Sequence, residues 1–175
     1  FIPNPVFAVD CQTWGIAVLG PDWVDRHFGD GTAYRVWQHT KERSGVYDAD
    51  GRLEGVGFTD SRDVVSVEWT AGAILCAKLL AEHYRTSRPE WSRELLAESR
   101  TMRAAMEKLK TSLPDGSEAY FYANRRFFIP FGWWANPIPS LVSTSWILLL
   151  DRDFNPFVLG GGKITAATGS SVATG

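Results

Sequence analysis

The sequence is poor in the residues that build most metal and disulfide sites. It contains two cysteines and three histidines in 175 residues. Cys11 and Cys76 lack the partner spacing of a zinc site, and His27, His39 and His83 show no ligand spacing. Two cysteines are too few for a disulfide framework. The sequence therefore predicts no metal site, while a single Cys11–Cys76 disulfide stays open.

Excess charge of one sign and long apolar runs are also absent. The formal net charge is −2 and no long basic block occurs, which argues against nucleic-acid binding. The longest apolar run, Ile138 to Leu150, is shorter than the roughly 20 residues of a membrane span and contains a polar Ser143 to Ser145 segment. Gly160 to Gly162 leads into a tail and not into a helix, so no phosphate-binding loop is predicted. We expect no nucleic-acid partner, no membrane span and no cofactor.

The two ends of the sequence differ in character. Phe1 is not a Met, and the residues after it lack the charged and apolar regions of a signal peptide, which is typical of a stretch from within a longer protein. The other end is rich in Gly, Ser, Ala and Thr, and such a segment buries too little apolar surface to order itself strongly. We therefore expect a domain over residues 1–160 and a flexible tail over 161–175.

Apolar residues at helical spacing are abundant, and 45% of the chain is hydrophobic. The spacing predicts two kinds of helix, some rich in small apolar residues and others more charged. A turn at Asp50-Gly51 indicates a short hairpin, and a short strand is predicted near Glu118. The predicted helices are Cys11–Leu19, Pro21–Phe28, Gly31–Arg43, Val67–Tyr84, Trp91–Leu113 and Pro139–Asp151.

The alternation of apolar and charged helices favours an inner and an outer layer. Small residues in the central helix, such as Gly72 and Ala73, allow neighbouring backbones to approach closely. From this pattern we predict an all-α fold, a partial α/α toroid with long loops and at most a short β-hairpin. The helices are too few to close such a ring.

Several short motifs resemble one family of enzymes. The motifs are Asp10-Cys11-Gln12-Thr13-Trp14, Val67-Glu68-Trp69-Thr70-Ala71-Gly72, the segment Asn136 to Trp146, and Phe154-Asn155-Pro156-Phe157. Together they resemble the C-terminal half of six-hairpin (α/α)6-toroid glycoside hydrolases, among them β-1,2-glucanases. The resemblance covers most of residues 7–160. It implies that N-terminal helices come from a part of the protein outside this sequence or from another chain, and that the protein works outside the cytoplasm, in the extracellular space or periplasm.

Candidate catalytic residues are the carboxylates near the starts of the apolar helices. Glycoside hydrolysis generally uses one protonated and one ionised carboxyl group. Glu68 heads an inward-facing stripe, where apolar neighbours would raise its pKa toward that of a general acid. Asp63 and Asp10 are the other catalytic candidates, and Asp60 is a substrate-binding candidate. Equally, Asp63 could cap the helix while Glu68 interacts with its dipole, and Asp10 could be an N-cap.

Aromatic residues make up 13% of the chain and include eight tryptophans. Sugars stack on aromatic rings, so this composition favours a carbohydrate ligand. Trp133 and Trp134 lie in a loop bounded by Gly and Pro, where both rings could face a ligand. Trp14 and Trp69 could line the same cavity or belong to the core, and Arg126 could bind a polyhydroxylated ligand or be solvated.

The predicted function is hydrolysis of a polysaccharide, with β-glucan as the leading substrate class. The alternative is a non-catalytic glycan-binding or structural assembly protein on the same toroid. The two hypotheses differ in the placement of the carboxyl groups. An enzyme needs two of them across an open cleft, whereas a structural relative would bury Glu68 in a salt bridge or fill the cleft.

Overall fold

The computed structural model describes residues 5–164. Within this range, 51% of residues are helical and 18% lie in strands. The six helices are α1 (Val9–Leu19), α2 (Pro21–Phe28), α3 (Thr32–Ser44), α4 (Val67–His83), α5 (Pro89–Met106) and α6 (Leu141–Asp151). The nine strands are β1 (Gly45–Tyr47), β2 (Leu53–Val56), β3 (Lys110–Ser112), β4 (Glu118–Phe121), β5 (Phe127–Ile129), β6 (Trp133–Ala135), β7 (Pro139–Ser140), β8 (Phe154–Asn155) and β9 (Gly162–Lys163).

The prediction of an all-α toroid is wrong, because the described chain is mixed α/β. Its strands form four small antiparallel sheets: the pairs β1-β2, β5-β6 and β8-β9, and a three-stranded sheet in the order β3-β4-β7. Most of these strands span only two or three residues, too few for an alternating hydrophobic pattern to appear in the sequence. Five helices were predicted to within about two residues at each end, but the helix predicted over Trp91–Leu113 ends at Met106 and is followed by a short 3-10 turn and by β3.

Helix α4 is the centre of the core. Its small and aliphatic residues are buried from Val67 to Ala81, and it packs against α1, α5 and α6. Ser66 caps its start by accepting a hydrogen bond from the Trp69 amide. A helix that is apolar on nearly all sides is stable only when covered on all of them, which is why the other helices surround α4.

Helices α1 and α4 run in the same direction. Trp14 of α1 packs on Gly72 of α4 so closely that a Cβ at Gly72 would lie 1.8 Å from the indole Nε1. One turn earlier, Asp10 of α1 is close enough to Glu68 of α4 for its charge to act there. The N-terminal ends of these two helices therefore meet.

The ordered chain continues past the predicted domain end at residue 160. Strand β9 pairs with β8, and Ile164 is fully buried. Of the predicted flexible tail, residues 165–175 lie outside the described range. Both cysteines are unpaired, Cys11 exposed and Cys76 buried. No helix within residues 5–164 has the length and apolar character to cross a membrane.

Candidate active site

Two carboxylates meet where α1 and α4 begin. Asp10 and Glu68 each lie in the first turn of their helix, where the exposed backbone amides favour negative charge. Both side chains are partly buried. Within residues 5–164, no hydrogen bond or ion pair reaches either carboxyl group. Glu68 thus does not lie in a salt bridge.

The environment of Glu68 changes its ionisation. Burial raises the pKa of Glu68, and the nearby charge of Asp10 raises it further, to about 7. Tyr122 faces the same group. Burial raises the pKa of the Tyr122 hydroxyl, and the charge of Glu68 raises it further. A hydrogen bond with the Trp133 side chain offsets part of this increase. A carboxyl group with a pKa near 7 can hold and release a proton at neutral pH, which suits a general acid.

Asp10 lines a cleft with a volume of about 660 Å³. This volume is in the range of small-ligand sites. The cleft lies between the start of α1, the outer side of α3 and the β5-β6 hairpin. Besides Asp10, its walls are formed by Pro5, Val6, Phe7, Ala8, Cys11, Gln12, His39, Arg43, Phe131 and Trp133. Glu68 does not line the cleft, so the two carboxyl groups do not face each other across it; Glu68 lies behind Asp10.

Arg43 is the cation of this cleft. One terminal nitrogen binds a carboxylate oxygen of Asp60 at 3.0 Å, and the guanidinium lies over the Phe7 ring at 4.9 Å. Its Nε is buried without a partner among the described residues. Because this nitrogen is shielded from solvent, only the exposed part of the Arg43 side chain, which is 38% exposed, can meet a ligand.

Trp133 and Trp134 occupy different sides of the β5-β6 hairpin. Neighbouring strand residues point in opposite directions. Trp133 faces Phe131 and the cleft, whereas Trp134 packs on Phe128 at 5.2 Å and lies under the Arg126 guanidinium at 4.2 Å. Both indoles are nearly half exposed. The pair therefore forms two separate aromatic surfaces.

Trp14 and Trp69 belong to an aromatic cluster between α1, α4 and α6. The Trp14 ring lies 5.6 Å from both Trp69 and Trp146, and 6.0 Å from Phe157. The indole nitrogens of Trp14 and Trp69 are buried without a described partner. These contacts support the interpretation that Trp14 and Trp69 belong to the core and do not line a ligand cavity.

Asp60 and Asp63 are not brought to the carboxylate pair. Asp63 is exposed, and its side chain accepts a hydrogen bond from the Ser61 hydroxyl at 3.5 Å. It does not cap α4, because Ser66 does. Asp10 likewise is not an N-cap, since α1 is preceded by Ala8. Asp60 contacts the cleft only through Arg43.

Sequence reasoning missed Arg43 and Tyr122. Arg43 lies at the end of a charged helix and resembles any solvated arginine, and Tyr122 follows a short strand. Only the tertiary structure places them beside Asp10 and Glu68. No three His, Cys, Asp or Glu side chains converge as a cation site anywhere in residues 5–164.

The site therefore combines an elevated-pKa carboxyl group, a second carboxylate, a cleft with aromatic walls and one arginine. This set can transfer a proton and hold a polar ligand against a ring. Comparison with known proteins adds nothing to this picture, since no family model, curated protein or solved structure matches the chain.

Proposed function

We propose that this protein hydrolyses a glycan, with Glu68 as general acid and Asp10 as the ionised partner. The observation that carries the proposal is the pair itself: two neighbouring carboxyl groups without partners in the described chain, one of which has its pKa raised to about 7. Unequal environments of two carboxyl groups are the usual way to keep one protonated and one charged.

In this mechanism the glycan enters past Asp10 as far as Glu68, which donates its proton to the glycosidic oxygen as the bond to the anomeric carbon breaks. The Asp10 carboxylate then either attacks the anomeric carbon or removes a proton from the water that attacks it. In both cases the water supplies the hydroxyl group of the new reducing end. Trp133 and Phe131 provide ring faces for the sugar, and the exposed part of the Arg43 guanidinium provides a donor for a hydroxyl group.

The resemblance of the short motifs to glycoside hydrolases makes β-glucans the first substrates to test. A polysaccharide substrate of this kind implies work in the extracellular space or periplasm. The test measures the release of reducing ends from a panel of β-glucans by the wild-type chain, Glu68→Gln and Asp10→Asn.

We expect both substitutions to lower kcat by at least about 100-fold, in line with the loss of a general acid or base. Matched controls are Glu90→Gln and Asp22→Asn, which alter exposed carboxylates in the first turns of α5 and α2. These should keep wild-type activity. Activity that survives in Glu68→Gln would overturn the assignment of Glu68, and no release from any glycan would overturn hydrolysis.

The exposed aromatic residues favour a second candidate, glycan binding without catalysis. Trp134 and Phe128 lie outside the cleft and stay open to solvent beside Arg126, as expected of a surface that stacks on a polymer. This candidate predicts retention on insoluble glucan that Trp134→Ala weakens and Glu68→Gln leaves unchanged. Phe28→Ala, at an exposed aromatic residue on α2, is the control.

A further inference from the structure

Helix α6 carries apolar side chains both on the side that packs against the rest of the described chain and on its exposed side. Its buried side consists of Ser143, Ile147 and Leu150. Leu141 and Leu148 are 82% and 56% exposed, and Val142 is about half exposed. A helix that is apolar all round is normally buried all round. The exposed side of α6 is therefore a surface that needs a partner.

This surface continues onto neighbouring elements. Trp146 of α6 stacks on Trp14 of α1 at 5.6 Å and lies 5.8 Å from Phe157. Val18 lies one helical turn beyond Trp14, and Val158 and Leu159 follow Phe157 directly; all three are exposed. We name the α6 face as Val18, Leu141, Val142, Leu148, Val158 and Leu159. None of these side chains is charged.

The size of the α6 face matches a small specific interface. Added together, the exposed fractions of its six residues correspond to about four fully exposed aliphatic side chains. At about 100 Å² for each side chain, the face offers roughly 400 Å² of apolar surface. Homodimer interfaces are roughly 65% apolar, so the face corresponds to roughly 600 Å² per partner and roughly 1,200 Å² in total. This is the lower end of the range for stable complexes.

The spacing along α6 suits a second copy of the same helix. Leu141, Ser145 and Leu148 share one side of α6, and the small Ser145 lies exposed between the two leucines. If two α6 helices cross antiparallel at Ser145, Leu141 of one copy meets Leu148 of the other, and the reverse contact follows by symmetry. Self-complementary contacts of this kind are required by a two-fold interface.

We infer that the α6 face is the interface of a two-fold homodimer in which the two α6 helices cross at Ser145. The exposed side of α5 is charged, and the exposed rings of the β5-β6 hairpin belong to the glycan-binding surfaces proposed above. The candidate active site lies at the start of α1 and α4, and the inference does not depend on the proposed hydrolysis.

Sedimentation equilibrium of the 175-residue chain over a wide concentration range tests the mass. We expect a species of twice the 19.5 kDa chain mass. Leu148→Glu should shift it to monomer, with at least about a 100-fold weaker Kd, because a charge would be buried without a partner. Leu96→Glu on α5, a partly exposed leucine outside the face, is the matched control and should stay dimeric.

A second measurement covers the case in which Leu148→Glu fails to fold. In a Cys11→Ser background, Ser145→Cys should give a covalent dimer with a short bis-maleimide, whereas Ala97→Cys on the exposed side of α5 should not. A monomer at every concentration would overturn the inference and indicate that another segment or a different protein covers the face. A dimer that Leu148→Glu leaves intact, or equal cross-linking at Ala97→Cys, would overturn it as well.

Discussion

At the scale of single residues, the ionisation of Glu68 lowers the stability of the folded state. Glu68 is placed in a partly buried position without a described hydrogen-bond partner, so its ionisation in the folded state is costly. In the unfolded chain it ionises near its ordinary pKa of 4.5, and in the folded state at about 7. Between these values the folded state binds more protons, so wild-type stability falls as pH rises through this window.

We therefore expect Glu68→Gln to be more stable than the wild type at pH 8 by about 1–3 kcal/mol, and to lose this advantage near pH 4. Urea unfolding of both proteins at the two pH values measures the difference. Glu90→Gln, in the first turn of α5, should show no such pH-dependent gain. An equal effect of Glu68→Gln at both pH values would mean that the pKa of Glu68 is not raised.

Replacing a helical glycine by alanine should have opposite effects on stability at Gly72 and at Gly15. Gly72→Ala would place a Cβ 1.8 Å from Trp14 Nε1, and the indole cannot yield because Trp69 and Trp146 flank it. We expect a loss of about 1–3 kcal/mol or more in the free energy of unfolding. Gly15→Ala meets nothing within 4 Å and should stabilise α1 by about 0.5–1 kcal/mol. Thermal unfolding of the two variants checks this, and equal Tm shifts would contradict the close packing at Gly72.

Among the elements, α2, α3 and α4 are joined by one buried carboxylate. Asp25 of α2 accepts hydrogen bonds from the amides of Gly31 and Ala33 at the start of α3, and from Tyr84 and His83 at the end of α4. Burial would raise the pKa of Asp25, but these hydrogen bonds together outweigh it and lower the pKa. A carboxylate that is buried and fully hydrogen-bonded stabilises the elements that donate to it.

Asp25→Asn should lower the free energy of unfolding by about 2–4 kcal/mol at pH 7, because the amide cannot accept from all four donors. Since the pKa of Asp25 is lowered, the wild-type advantage is present above the ordinary carboxyl pKa and is lost as pH falls below it. Chemical unfolding at pH 7 and pH 3 measures this. Asp22→Asn, in an exposed ion pair with Arg26, should cost less than about 1 kcal/mol. A similar cost for both variants would show that Asp25 does not join the helices.

The elements also show what the sequence could reveal. The presence of six helices follows from apolar spacing, because helix signals are local, but the end of α5 does not, since the apolar spacing continues to the start of β3. The β5-β6 hairpin could not be found in this way. Its strands are three residues long and mostly exposed, and their pairing depends on contacts that are not local.

At the scale of the whole molecule, one main hydrophobic cluster runs from Val9 to Ile164 and includes residues of all six helices. We therefore expect a single cooperative unfolding transition at a fixed protein concentration. Far-UV circular dichroism and tryptophan fluorescence should give the same denaturation midpoint. Two separate midpoints would show that the β5-β6 region, which packs on a smaller cluster with Phe58 and Ile129, unfolds independently.

The candidate site was only partly visible in the sequence. The sequence singles out Glu68 and Asp10 because each lies at the start of an apolar helix, and the structure brings these two together. Asp63 is a candidate on the same argument, but it is exposed, and the residues that enter the core after it are Val64 and Val65. Sequence position gives the distance of a residue from a helix start, but not the direction in which a loop carries it.

The cluster around Trp14 also constrains how the chain is made. Its rings come from residues 14, 69, 146 and 157, so the contact set is complete only after nearly the whole chain has been assembled. During synthesis on the ribosome, α1 emerges long before the partners that cover its indole. Until residues 146 and 157 have been made, the indole side of α1 stays uncovered, and we expect the nascent chain to be prone to aggregation during this interval.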